Sequence, residues 1–116
     1  MLHIQDLTKN YGSFTAVNHL TLHIPEGDLF GFVGPNGAGK TTTIRIVCGL
    51  LKASGGKVQI GGTQAAVGSK EMKRLIGYVP DFFGVYDNLK VHEYMDMYGS
   101  MYSMNSKDIA KLTDDL

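Results

Sequence analysis

The ten residues GPNGAGKTTT, positions 34–43, match the pattern G-x-x-x-x-G-K-[ST] at every fixed position. Glycine makes up about 7% of an average protein, so a chance match in one short domain is expected on the order of once in a few hundred sequences. An apolar stretch precedes the match and a helical pattern follows it. The stretch therefore predicts a loop that binds the phosphates of a nucleoside triphosphate.

Each residue type in the loop suits that ligand. Glycines let the backbone curl so that successive N–H groups point at a phosphate, and the N-terminus of the following helix adds partial positive charge. Lys40 supplies an ammonium for the β- and γ-phosphates, and Thr41 supplies a hydroxyl for Mg²⁺. The predicted nucleotide-binding residues of the loop are Gly34, Pro35, Asn36, Gly37, Ala38, Gly39, Lys40, Thr41 and Thr42.

Hydrophobic periodicity around the loop predicts an α/β fold. A helix is expected over KTTTIRIVCGLL (40–51), a short helix capped by Ser69, a helix from Val91, and a last helix from about Ser106. The predicted strands are LHIQDL (2–7), AVNHLTLHI (16–24), DLFGFVG (28–34), KVQIGG (57–62) and IGYVP (76–80).

Composition narrows the class of protein. Eleven basic residues balance eleven acidic ones, which gives no indication of a globally basic nucleic-acid binder. The single cysteine, Cys48, permits no intrachain disulfide and lies in an apolar helical run that predicts a buried thiol. We find neither a signal-peptide pattern nor an apolar run near the ~20 residues of a membrane span. The expected location is cytoplasmic, which leaves room for a membrane-bound partner.

Nearly the whole chain resembles the nucleotide-binding subunits of ATP-binding cassette (ABC) transporters. Two stretches carry the resemblance: LTKNYGSFTAVNHLTLHIPEGDLFGFVGPNGAGKTTTIRIVCGLLKASGGKVQIGG (7–62) and RLIGYVPDFFGVYDNLKVHEYM (74–95). It implies an α/β fold of the P-loop NTPase class, with the ABC ATPase core, an N-terminal antiparallel β subdomain and the start of a helical subdomain. The core and β subdomain would occupy about residues 1–88, and the helical part about 89–116.

The resemblance also implies further site residues. Tyr11 matches the aromatic residue that stacks on adenine, a contact worth roughly 1–3 kcal/mol in related settings. Val17 would pack beside the same ring. The alternative for Tyr11 is an aromatic side chain that merely covers the edge of the sheet.

Asp81 departs from the family pattern, because many members have glutamine at the position that touches Mg²⁺ and the attacking water. A carboxylate can still contact the metal or its waters. The alternative is a solvated loop residue. The apolar side chains after it, Phe82, Phe83, Val85 and Tyr86, would either receive a membrane subunit or pack on the following helix.

Three elements of the family's hydrolytic machinery do not occur in this sequence: an LSGGQ-like signature, an apolar strand ending in Asp-Glu, and a switch histidine. The last residues, DIAKLTDDL, carry no helix stop signal. We therefore expect an incomplete domain in which DLFGFVG (28–34) exposes apolar surface, and a chain that is marginally stable or aggregation-prone by itself.

The resemblance implies binding of ATP with Mg²⁺, coupled through hydrolysis to transport, and the acidic residue at 81 favours export. The implied partners are a second nucleotide-binding subunit, packed head to tail, and a transmembrane permease that holds the protein at the inner face of the membrane. Two alternatives stay open: a soluble ABC-class ATPase without a membrane partner, and a chain that only binds nucleotide.

Overall fold

The computed structural model describes residues 1–82 and 84–116. They form two compact units, Met1–Tyr78 and Val79–Leu116. Phe83, one of the apolar residues noted above, lies outside the described residues.

The first unit is built on an antiparallel sheet. Its four strands lie in the order β2-β1-β3-β4, and neighbouring strands are antiparallel throughout. This confirms the antiparallel β subdomain expected at the N-terminus. The strands are β1 (Leu2–Tyr11), β2 (Phe14–Ile24), β3 (Gly55–Ile60) and β4 (Thr63–Gln64).

Register shifts in β1 and β2 modify the simple alternation that the sequence predicts. Ile4 and Leu7 are three residues apart, yet both are buried, with exposures of 1% and 0%. Between them Asp6 has φ of 49°, and His19 has the same φ between Val17 and Leu20 on the paired strand. An extra residue at each point restores the inward direction of the next apolar side chain, so the strands run further than predicted.

Helix α1 (Lys40–Val47) packs Ile46 into the same core as Ile4 and Leu7. It ends four residues before the predicted end at residue 51. Gly49 has φ of 67° and donates its N–H to the carbonyl oxygen of Ile46 at 3.0 Å. A left-handed glycine after the last turn is a common helix stop, and Gly49 ends α1 within the apolar run.

The short helix α2 (Lys70–Leu75) begins where the sequence predicts. The hydroxyl of Ser69 accepts a hydrogen bond from the backbone N–H of Met72 at 3.3 Å, which confirms Ser69 as the cap. Met72 is 1% exposed and holds the inner face of the helix.

The strands predicted over residues 28–34 and 76–80 do not form, and both predictions were wrong. A strand needs a neighbour for its backbone hydrogen bonds, and the sheet of the described residues contains no strand beside either segment. In the first segment Leu29 and Val33 are fully or almost fully exposed, at 103% and 96%. The expected exposure of apolar surface there is confirmed.

The second unit contains helices α3 (Val91–Met101) and α4 (Ser106–Asp114), both starting at the predicted positions. Ile109 of α4 is 4% exposed and packs on Gly99 of α3, where a Cβ atom would overlap the isoleucine side chain. Asn105 caps α4 by accepting the N–H of Asp108 at 2.9 Å. Asp108 lies in the first turn, as the sequence predicts.

Candidate phosphate-binding site

The loop over residues 34–39 turns sharply before α1 begins. Ala38 donates its N–H to the carbonyl oxygen of Pro35 at 3.2 Å, and Gly37 and Gly39 have φ of 83° and 87°. These left-handed conformations are strained for residues with a Cβ atom, which explains the glycines at both positions. The loop therefore delivers the chain into α1 at Lys40.

Gly39 is also where the loop rests on the sheet. A Cβ atom at this position would overlap the carbonyl oxygen of Ala16 and lie 3.3 Å from Cγ2 of Val17. The absence of a side chain thus lets the loop backbone touch β2 directly. This contact ties the loop to the buried core, because Val17 is only 7% exposed.

The N-terminus of α1 is electrostatically open. Gly39 is the N-cap, it offers no side-chain hydrogen bond, and the first turn has no acidic residue. The N–H groups at the start of a helix lack intrahelical acceptors and carry the positive end of the helix dipole. An anion such as phosphate is a suitable acceptor for them.

Lys40 adds a full positive charge at the same place. Its ammonium donates hydrogen bonds to the carbonyl oxygens of Gly34 and Pro35, the latter at 2.6 Å. The cation therefore lies against the start of the loop, although its Cα belongs to the helix. Phosphate oxygens would accept hydrogen bonds from this ammonium more strongly than the two carbonyl oxygens do, since hydrogen bonds between ionised partners are roughly twice as strong.

The three threonines of the loop-helix junction have different surroundings. Thr41 is exposed, so its hydroxyl is accessible to a metal ion, and Thr42 is half-buried. Thr43 is 5% exposed and donates its hydroxyl to the carbonyl oxygen of Gly39 at 2.9 Å. The sequence prediction ended at Thr42 and missed this supporting role. A threonine four residues after the N-cap, facing the apolar stripe, is the signal that could have shown it.

The two residues implied for the adenine ring, Tyr11 and Val17, differ in burial. Tyr11 ends β1, and its side chain is 49% exposed. Val17 belongs to the core cluster with Leu7, Ile46 and Val58 and touches the loop at Gly39. Tyr11 thus presents accessible aromatic surface, whereas Val17 supports the loop from below. Their contact with adenine stays a prediction.

Asp81 belongs to the second unit and is exposed. The side chains of Phe82, Val85 and Tyr86 are also exposed, at 86%, 59% and 64%. Both interpretations of this segment, a surface that receives a membrane subunit and packing on the following helix, stay predictions. The role of Asp81 at a metal ion stays a prediction.

Cys48 follows the last residue of α1 and is half-buried. Burial raises the pKa of its thiol above the ordinary value. The protonated thiol is a poor nucleophile. This agrees with the interpretation of Cys48 as a structural residue.

Within residues 1–82 and 84–116, no cluster of three or more histidine, cysteine or acidic side chains could hold a metal ion. Among the same residues, no helix is long and apolar enough to cross a membrane.

Residues 17–115 match the protein family described as ABC transporter. The chain is 41% identical over 103 residues to the bacitracin transport ATP-binding protein BcrA of Bacillus licheniformis, across 89% of this chain and 34% of that protein. It is 34% identical over 111 residues to the linearmycin resistance ATP-binding protein LnrL of Bacillus subtilis, across 96% of this chain and 36% of the relative. The chain thus spans about a third of the length of these relatives.

Solved structures give the same result for the fold. An ATP-binding subunit of an ABC transporter superposes with a TM-score of 0.82 and 27% identity, covering 91% of this chain and 44% of that one. A bacterial ABC transporter cassette, solved as a dimer, superposes with a TM-score of 0.80 and 25% identity, covering 96% of this chain and 53% of that one.

Proposed function

This chain belongs to the ABC transporter family, and from that premise we propose that it binds the triphosphate of MgATP in the loop over residues 34–42. One observation carries the proposal: the uncapped N-terminus of α1 and the ammonium of Lys40 converge on the same loop. Backbone N–H groups, the helix dipole and a lysine cation together form a cradle for a polyphosphate.

Within that cradle each residue has a distinct part. The N–H groups of the loop and of Lys40, Thr41 and Thr42 would donate to phosphate oxygens, and the Lys40 ammonium would exchange its two carbonyl acceptors for the β- and γ-phosphates. The exposed hydroxyl of Thr41 would join the coordination of Mg²⁺, a hard cation that takes oxygen ligands. Bound Mg²⁺ neutralises charge on the phosphates.

Tyr11 would supply the platform for the adenine ring, with Val17 beside it. The support is that nearly half of the Tyr11 side chain is accessible at the end of β1. The Asp81 carboxylate would contact Mg²⁺ or its waters. Its exposure leaves the carboxylate accessible, and its alternative as a solvated loop residue stays open.

For the protein as a whole we propose ATP-driven transport, in the direction of export. The named relatives support this, since BcrA is a bacitracin transport protein and LnrL a linearmycin resistance protein. The proposed partners are a second nucleotide-binding subunit, because a cassette of the same fold is dimeric, and a membrane permease that would hold the protein at the cytoplasmic face. The transport name of BcrA favours this interpretation over a soluble ABC-class ATPase.

We propose that hydrolysis needs groups beyond those of this chain. The signature, the Asp-Glu strand and the switch histidine of the family do not occur in its sequence. Binding and hydrolysis are therefore separable in this proposal, and apart from Asp81 the residues considered above belong to binding.

The test is titration calorimetry of the full-length protein with MgATP and with magnesium tripolyphosphate. Lys40→Ala should abolish detectable binding of both ligands. The matched control is Lys70→Ala, which removes an exposed lysine from the first position of another helix, α2, whose N-cap is the side chain of Ser69. Retained binding by Lys40→Ala would remove the loop lysine from its role.

In the same assay, Tyr11→Ala distinguishes binding of the adenine base from binding of the phosphates. It should weaken MgATP by roughly 5- to 150-fold, as loss of about 1–3 kcal/mol of stacking requires, and leave tripolyphosphate unchanged. Equal weakening of the two ligands would contradict the stacking role.

A further inference from the structure

We propose that Lys9 is a positioning residue for the base-binding aromatic ring: its ammonium covers one face of Tyr11 and leaves the other to a purine. The inference rests on the proposed nucleotide site and deepens it. It concerns a lysine outside the phosphate loop, and it makes recognition of the base depend on a charge that never touches the nucleotide.

The geometry of β1 brings the two side chains together. Lys9 and Tyr11 are two residues apart in one strand, a spacing that favours the same face of the sheet. The Lys9 ammonium lies 5.0 Å from the centroid of the Tyr11 ring. A cation within about 6 Å of an aromatic face is attracted by the ring's quadrupole.

The ammonium is held at this position by a second contact. It donates a hydrogen bond to the carbonyl oxygen of Lys52 at 2.9 Å. Lys52 lies in the loop that leaves α1, and that loop is also bonded to β1 through Ser54. The N–H of Ser54 donates to the carbonyl oxygen of Thr8 at 2.9 Å, and its hydroxyl accepts the N–H of Asn10 at 3.0 Å.

These bonds connect the two halves of the proposed site. Helix α1 begins at the phosphate loop. The loop after its C-terminal end is hydrogen-bonded to β1, the strand that carries Tyr11. The Lys9 side chain extends from β1 to the Lys52 carbonyl in that loop, and its ammonium lies over the Tyr11 ring. The ring is therefore restrained relative to the helix that would hold the phosphates, which lowers the entropy lost when a nucleotide binds both.

The remaining accessibility of Tyr11 matches this arrangement. The ring is 49% exposed although a cation covers part of it. A flat base stacks on one face of an aromatic ring, so a single free face is sufficient. An exposed tyrosine without such a restraint would sample several rotamers, and only some of them would present that face.

The experiment measures MgATP and magnesium tripolyphosphate binding to the full-length protein by titration calorimetry. Lys9→Met keeps most of the aliphatic stem and removes the charge. It should weaken MgATP by about 3- to 10-fold and leave tripolyphosphate within about 2-fold, because a cation–π contact of this kind is worth on the order of 1 kcal/mol. Lys9→Arg should retain the MgATP affinity of the unmodified protein, since a guanidinium also stacks on aromatic faces.

The control is Lys57→Met, which removes an exposed lysine from the neighbouring strand β3 and should change neither ligand. A double-mutant cycle distinguishes positioning of the ring from general support of the sheet. Adding Lys9→Met to Tyr11→Ala should cause no further loss of MgATP affinity, because the ring through which Lys9 acts is gone.

Three results would overturn the inference: MgATP binding by Lys9→Met equal to that of the unmodified protein, equal weakening of both ligands, or an undiminished effect in the Tyr11→Ala background. If Lys9→Met fails to fold by circular dichroism, Lys9→Gln replaces it. Glutamine can donate to the Lys52 carbonyl but carries no charge, so the same loss of MgATP affinity is expected and normal affinity overturns the inference.

The outcomes also separate this inference from the proposed function. Loss of both ligands in Lys40→Ala together with unaltered MgATP binding in Lys9→Met leaves the nucleotide site standing and overturns only the role of Lys9. An unmodified protein that binds neither ligand overturns both.

Discussion

Thr43 donates its hydroxyl to the carbonyl oxygen of Gly39 at 2.9 Å, and Gly39 is the residue at which the phosphate loop becomes helix α1. The same carbonyl accepts the backbone N–H of Thr43 at 2.8 Å. One residue of the first helical turn thus holds the N-cap through both its backbone and its side chain. The conformation of the loop is therefore supported from inside the helix.

Thr43→Val should lower the free energy of unfolding by about 1 kcal/mol, because valine keeps the shape of the buried side chain and loses its hydrogen bond. Urea denaturation measures the change. Thr43→Ser retains the hydroxyl and should preserve the bond, and Thr15→Val on the exposed face of β2 serves as the control. If valine and threonine proved equally stable at 43, the bond would contribute nothing.

Gly39→Ala and Gly37→Ala form a matched pair, since both glycines have a left-handed φ near 85°. A Cβ atom at 37 meets nothing within 4 Å. The Gly37→Ala variant should therefore lose only roughly 1 kcal/mol of stability, from the added backbone strain. A Cβ atom at 39 overlaps the Ala16 carbonyl, so the loop must shift from β2.

We therefore expect Gly39→Ala to abolish measurable MgATP binding and to destabilise the protein by clearly more than Gly37→Ala. Calorimetry and urea denaturation of the two variants side by side give the comparison. Similar losses in both would show that contact with β2 is unimportant.

Cys48 should react slowly with iodoacetamide at pH 8, because burial raises its pKa and keeps it protonated. A thiol whose pKa is higher in the folded state stabilises that state below the unfolded pKa. This contribution is lost as the pH rises through the folded pKa. Alkylation rates of folded and urea-unfolded protein across pH 7–10 measure it, and equal rates would contradict the prediction.

The exposed apolar segment before the loop should make the 116-residue chain aggregate when it is expressed alone. Leu29→Ser together with Val33→Ser should raise the monomer fraction in size-exclusion chromatography with light scattering. Both side chains are almost fully exposed, so stability should change little. A cooperative thermal transition of a monomeric unmodified chain would count against this prediction.

Several elements could be predicted because their signals are local. Ser69 is the N-cap of α2, and Asp108 lies in the first turn of α4. Both act within one turn of their own helix, so both helix starts could be predicted. The phosphate loop is equally local, since its glycines and Lys40 act within one turn of chain. The predicted strands at 28–34 and 76–80 failed because an apolar run shows only that a segment can pair, and pairing depends on a neighbour elsewhere.

The sequence by itself determined the phosphate loop, the order of most helices and strands, and the resemblance to the ABC family, because each depends on residues adjacent in the chain. The tertiary structure decided which residues support that loop. Contacts of Gly39 with Ala16, and of Lys9 with the Lys52 carbonyl, join positions far apart in sequence. They depend on how the loops pack against the strands, and the bulged register of β1 with β2 and β3 is likewise encoded in no local pattern.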